Sequence, residues 1–165
     1  KLFVSSSTED CDLFVTVQGW SDKGREVHFQ VTVDPKTPLA QGWLRVSHRK
    51  LDEEKSDPWR PYHTHDDKQM LTPGQVYEVD VEIWPQCVEL PKGFQISINI
   101  AGQDYDRPGP AVDAYVPSRG SGVFLHDHPT DRPKEIFGGK TTIHTGPKHK
   151  SYLLMPVIPK NRKST

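Results

Sequence analysis

The run Tyr77-Glu78-Val79-Asp80-Val81-Glu82-Ile83 alternates an apolar with an acidic residue at every step. Successive side chains of a β-strand point to opposite faces, so this alternation predicts a strand with one face on a core and the other toward water. The same period of two recurs in three other runs, residues 13–17, 27–33 and 94–100. Weaker strand candidates lie at residues 42–47, 140–145 and 152–158.

Turn-forming residues separate these strands, at residues 21–24, 73–74 and 90–93. The one helix candidate, residues 51–56, lacks a sustained period of 3.6 and is followed by Pro58, so it predicts a turn or two at most. Seven or eight short strands separated by turns predict an antiparallel β-sandwich. Because residues 50–72 form a long connection, the pattern favours an all-β jelly roll of the galactose-binding-domain type.

Composition and charge narrow the classes of function. The 165 residues are the size of one domain, predicted over residues 1–159 with a polar tail at 160–165. Lys and Arg total 21 against 22 Asp and Glu, which gives no electrostatic reason to bind nucleic acid or an anionic membrane. No apolar run approaches the length that spans a bilayer. Because a strand-like run already begins at residues 1–4, we expect the chain to be a piece of a longer protein.

The two cysteines, Cys11 and Cys87, make neither a disulfide framework nor a zinc site. We expect both to be reduced thiols, which favours a reducing compartment and predicts a cytoplasmic protein.

The sequence carries no recognisable catalytic motif. A nucleophile elbow needs Gly-x-Ser-x-Gly, and the nearest match places Lys23 where the second glycine is required after Ser21. P-loop, dinucleotide-binding and His-Glu-x-x-His motifs are absent as well. The residues therefore predict no catalytic group and no cofactor.

Histidine is enriched, and two His-x-His pairs stand out, His63 with His65 and His126 with His128. On a strand such a pair could offer two imidazoles to one metal, as in cupin-like enzymes, which makes His63 and His65 candidate ligands. However, no Glu follows His65 at the spacing of that family, and both pairs lie in loops near proline. The favoured interpretation is hydrogen bonding to loops or a contact surface.

Exposed aromatic residues give a second alternative, a sugar- or small-ligand-binding module with a stacking platform. Trp43 lies within a predicted strand and is expected in the core, whereas Trp84 lies on a polar face and is expected to be exposed. The loop residues 59–62, Trp-Arg-Pro-Tyr, better suit a protein–protein contact, where Trp, Tyr and Arg predominate.

Several stretches together resemble one family. They are residues 71–79 (LTPGQVYEV), 83–85 (IWP), 90–96 (LPKGFQI) and 102–104 (GQD), with the opening 3–12, residues 40–45 and the closing 151–156. In this order they resemble the C-terminal domain of CocE/NonD-type serine hydrolases. That family includes cocaine esterase-like acyl esterases and X-Pro dipeptidyl-peptidases.

The resemblance implies a non-catalytic jelly-roll domain whose Ser-His-Asp triad lies in an upstream α/β-hydrolase domain, so no catalytic residue carries over and the chain alone is expected to be inactive. Its implied partners are that catalytic domain and possible further copies in a homo-oligomer. Ester and Xaa-Pro peptide substrates both stay open. The residues we expect at the contacts are Trp59, Tyr62, His63, His65, Phe124, His126 and His128.

Overall fold

The computed structural model describes residues 1–29, 37–105 and 126–158. Within these ranges a 3₁₀ turn lies at Val46–His48 and a short helix, α1, at Lys134–Phe137. The strands are β1 (Leu2–Ser6), β2 (Asp12–Trp20), β3 (Glu26–Val27), β4 (Ala40–Arg45), β5 (Tyr77–Val79), β6 (Gln95–Ala101) and β7 (Thr141–His144). No helix of the described ranges is both long and apolar enough to cross a membrane.

The strands form two antiparallel sheets, which confirms the all-β prediction. In the first sheet β1 lies between β5 and β7. In the second sheet β2 is central: β4 and β3 pair along one edge, and β6 pairs along the other. The jelly-roll and galactose-binding-type strand order stays a prediction, because residues 30–36, 106–125 and 159–165 lie outside the described ranges.

The core lies between the two sheets and is built by the alternation read in the sequence. Val4 and Val79 contribute from the first sheet, and Leu13 and Leu44 from the second. Leu13 and Leu44 are directly paired across β2 and β4, so their side chains share the inner face. Cys11 is packed into this core, and burial raises the pKa of its thiol to about 11.

Most of the strand predicted at residues 27–33 lies outside the described ranges, and two other predicted strands differ in the structure. β5 ends at Val79, although the alternation continues to Ile83, because the chain then crosses to β4, where the Trp84 N–H donates to the Gln41 carbonyl at 2.9 Å. Residues 152–158 are not a strand: only Tyr152 exchanges backbone hydrogen bonds, both 3.0 Å, with Lys1. Residues 51–56 form a turn, as predicted. The four-residue helix α1 was not predicted, since it is too short to show a period.

Candidate functional site

A cleft of about 370 Å³ lies on the outer face of the second sheet, the face turned away from the core. Neighbouring residues of a strand point to opposite faces, so the buried Leu13 and Leu44 place Phe14, Trp43 and Arg45 on this outer side. We call it the outer cleft.

Aromatic side chains form much of its wall. The rings of Trp43 and Trp84 meet edge to face with centroids 5.6 Å apart. The His126 ring packs 6.1 Å from Trp43 and 5.7 Å from Phe14. The expectation that Trp43 lies in the core is therefore wrong, because it sits at a half-buried outer position of β4. Trp84 is 65% exposed, as expected.

A glycine brings Trp84 to the cleft. A Cβ on Gly42 would lie 2.0 Å from the carbonyl oxygen of Glu82, far inside van der Waals contact. Only a residue without a side chain lets the backbone of Glu82 approach β4 this closely. Trp84, two residues after Glu82, then packs against Trp43.

An ion-pair network lines the cleft beside the aromatic wall. Arg45 donates from Nε and Nη2 to Asp12, at 3.0 and 3.2 Å, and from Nη1 and Nη2 to Asp131, at 2.9 and 3.0 Å. Arg132 Nε donates to the same Asp12 at 2.6 Å. Partial burial opposes the charge on Arg45, but the bonds to Asp12 and Asp131 outweigh it and raise its pKa. Arg45 in turn lowers the pKa of Asp131.

Two buried polar atoms of the cleft have no hydrogen-bond partner among the described residues, Arg132 Nη1 and His63 Nε2. Burial lowers the pKa of His63 and favours the neutral ring. Native proteins rarely leave buried polar atoms without a partner, so these two atoms distinguish the outer cleft from an ordinary packed surface.

Three imidazoles meet at one end of the cleft. His65 and His48 share a hydrogen bond between their Nδ1 atoms at 3.3 Å, and the His63 and His65 rings lie 6.0 Å apart. His65 takes a left-handed backbone with φ 55°. No group of three or more His, Cys, Asp or Glu residues in the described ranges is arranged to hold a metal ion.

The two rings of the second His-x-His pair, His126 and His128, bond to different partners. His126 Nδ1 bonds Asp104 Oδ1 at 2.9 Å, and the His126 N–H donates to Asp104 Oδ2 at 2.7 Å. His128 is exposed, and its Nδ1 accepts from the Thr130 N–H at 3.3 Å. The two rings therefore serve separate contacts.

The structure divides the residues expected at contacts. His63, His65 and His126 line the outer cleft, whereas Trp59 and Tyr62 are exposed and lie outside its lining. Phe124 falls outside the described residues.

Sequence reasoning missed the cleft residues Phe14, Arg45 and Arg132. One signal was present: Asp12 and Arg45 face each other across β2 and β4, so once the strands are paired their opposite charges predict contact.

The chain matches the family model described as "X-Pro dipeptidyl-peptidase C-terminal non-catalytic domain" over residues 1–154. Two crystal structures of a CocE/NonD family hydrolase from Staphylococcus aureus are similar, each at 27% sequence identity. Their TM-scores are 0.70 and 0.71, and the matches cover 90% and 91% of this chain. The chain spans only 25% of the length of those hydrolases. No curated protein sequence matches significantly.

These findings agree with the resemblance read from the sequence and do not favour the sugar-binding or cupin-like alternatives. The family match covers nearly the whole chain, and the family is described as non-catalytic. This description agrees with the absence of a nucleophile elbow from the sequence. The chain belongs to the X-Pro dipeptidyl-peptidase C-terminal non-catalytic domain family.

Proposed function

We propose that this domain packs against an α/β-hydrolase catalytic domain of the same polypeptide, where it helps to shape the substrate cleft and supports contacts between subunits. The observation that carries the proposal is that a family defined as non-catalytic matches a chain spanning 25% of its hydrolase relatives. The remaining three quarters of such a relative would hold the Ser-His-Asp triad of a serine hydrolase.

Among the described residues, two separate contacts resemble parts of a triad. Ser5 Oγ bonds His144 Nε2 at 2.8 Å in the first sheet, but Ser5 is only 8% exposed. Asp104 orients His126 beside the outer cleft of the second sheet. A working triad needs one histidine between the nucleophile and the acid. Neither contact meets this need within the described ranges, which supports a non-catalytic role.

The exposed residues suit an interdomain contact. Interfaces favour Trp, Tyr and Arg at their centres and a polar rim. The residues we propose for contacts are Trp59, Tyr62, His63, His65, Phe124, His126 and His128. Three of them line the outer cleft, and we propose a second contact, such as one between subunits, for Trp59 and Tyr62, which are exposed outside that lining.

A hydrolysis assay tests the proposal. The chain of residues 1–165 and the complete natural polypeptide are compared on p-nitrophenyl esters and on Xaa-Pro p-nitroanilides. We expect no hydrolysis above the buffer rate by the isolated chain, and hydrolysis of one substrate class by the complete polypeptide. That class decides between an acyl esterase and a dipeptidyl-peptidase. Activity in the isolated chain that is lost in Ser5→Ala would overturn the proposal.

We also propose a reducing, cytoplasmic location, since Cys11 and Cys87 are both free thiols.

A further inference from the structure

The outer cleft contains one hydrogen-bond donor that its own residues do not use. Arg132 is fixed from two sides, by Asp12 at its Nε and by the Phe14 ring, whose centroid lies 4.9 Å from the guanidinium carbon. With the guanidinium held in this way, Nη1 remains buried without a partner among the described residues. A buried donor left unpaired is destabilising, and an incoming acceptor would remove that cost.

The cleft also contains a second buried polar atom without a partner among the described residues, His63 Nε2. A ring nitrogen of a neutral histidine either donates or accepts a hydrogen bond, according to the tautomer. An occupant of the cleft must therefore supply an acceptor to Arg132 and a hydrogen-bonding group to His63.

The charges of the lining disfavour an anionic occupant. The positive charges of Arg45 and Arg132 are matched by Asp12 and Asp131, which bond them directly. Glu82 adds one negative charge to the lining. This surplus of negative charge would repel a free carboxylate or phosphate, whereas it would not repel an uncharged amide.

A polypeptide backbone meets all these requirements. Each peptide unit carries one N–H donor and one C=O acceptor, and its side chain can pack on the aromatic wall. The volume of about 370 Å³ lies within the range of clefts that hold small ligands or short segments. The hydrolase relatives have three quarters of their length outside the matched region, which supplies such a segment.

Resting on the proposed function, we propose that the outer cleft seats a backbone segment of the catalytic domain. A peptide C=O of that segment accepts from Arg132 Nη1, a peptide N–H or C=O forms a hydrogen bond with His63 Nε2, and an apolar side chain packs on Trp43 and Trp84. The outer cleft is then the centre of the interdomain interface.

The chain offers a matched pair of tryptophans for the test. Trp84 lies in the cleft and Trp59 lies outside it, and both are 65% exposed. Hydroxyl-radical footprinting with mass spectrometry measures how fast each ring is oxidised. In the isolated chain we expect similar rates. In the complete polypeptide we expect oxidation of Trp84 to slow by about fivefold or more, because the centre of an interface excludes solvent.

The variant Arg132→Lys, made in the complete polypeptide, tests the polar contact. Lysine can keep the ion pair with Asp12 but lacks the planar second donor, so oxidation of Trp84 is expected to rise again. Lys50→Arg, at an exposed position outside the cleft lining, is the control and is expected to change nothing.

The outcomes separate the two proposals. If Trp59 alone is protected in the complete polypeptide, the cleft is not the interface, although the proposed function stands. If neither tryptophan nor any other exposed side chain of the domain is protected, both proposals are wrong. Protection of Trp84 that persists unchanged in Arg132→Lys overturns the role of Nη1.

Discussion

The two faces of the second sheet are covered in different ways. The inner face is aliphatic and packs on the first sheet through Leu13 and Leu44. The outer face carries Phe14, Trp43 and an ion-pair network, and loop residues 126–132 cover part of it. β2 is therefore buried on both sides along nearly its whole length. One face of β2 packs on the core, and its other face contributes to a second surface of different chemistry, the outer cleft.

The difference lies in the kind of interaction. Burial of aliphatic groups is non-directional and stabilises any close packing. The outer face depends on bonds of fixed geometry, and it leaves Arg132 Nη1 and His63 Nε2 without described partners. The inner face thus serves the stability of the domain, and the outer face suits recognition.

The largest effect is expected on the inner face. Leu13→Ala removes a side chain that is 1% exposed, and we expect the free energy of unfolding to fall by about 4 kcal/mol through lost transfer energy and the cavity left behind. Trp84→Ala, on the outer face, is the matched comparison and should cost about 1 kcal/mol. Urea unfolding of the isolated chain measures both. Equal losses would contradict the division between the faces.

A smaller loss is expected from Asp12→Asn in the ion-pair network. Arg45 and Arg132 share this carboxylate, so the change leaves two partly buried guanidinium groups with less compensation, at a cost of about 3 kcal/mol. Asp66→Asn is the control, because Asp66 pairs with Lys50 in solvent, and it should leave the unfolding midpoint unchanged. Equal unfolding free energies of the two variants would show that the ion-pair network does not stabilise the domain.

Gly42→Ala tests how the aromatic wall is assembled. A methyl group at this position must displace the carbonyl of Glu82, so we expect a loss of about 2 kcal/mol. Trp84 should also move away from Trp43, which the chemical shifts of the two indole N–H groups would report. Gln41→Ala, the neighbouring position, is the control. If Gly42→Ala left the indole shifts unchanged, the close approach would be wrong.

The smallest effect is a dependence of stability on pH. Burial lowers the pKa of His63 below its ordinary value of 6.5, with His65 and His48 adding repulsion and Asp80 opposing it. The folded protein then binds fewer protons here than the unfolded chain, so stability is complete above pH 6.5 and declines as the pH falls toward the lowered pKa.

His63→Gln should flatten this part of the profile, and the exposed His28→Gln should retain it. Thermal unfolding between pH 5 and pH 8 provides the measurement. An unchanged slope in His63→Gln would contradict the burial of a neutral ring.

The inner face could be predicted from the sequence because its signal is local. Alternation in residues 13–17 and 94–100 identifies β2 and β6, and in β2 it also identifies the buried residues, whereas Ile96 and Ile98 of β6 are exposed. The outer cleft could not be found in this way, since Trp84 comes from one loop and His126 and Arg132 come from another, both distant in sequence from β2 and β4. Their convergence depends on Gly42 and on the crossing after Val79, which no short pattern records.

Part of the site was nevertheless within reach. The two His-x-His pairs drew attention to His63, His65 and His126, and all three line the cleft. The expected core position of Trp43 failed because a tryptophan within a strand can occupy either face, and only the register with Phe14 decides which.

A crystal structure of the complete polypeptide would test the central claim most directly, through the exposed fraction of the Trp84 side chain. That fraction is 65% in the chain described here. The account predicts that Trp84 becomes buried against a backbone segment of the catalytic domain, with Arg132 Nη1 hydrogen-bonded to a carbonyl. A Trp84 as exposed as before, with the catalytic domain seated elsewhere, would contradict it.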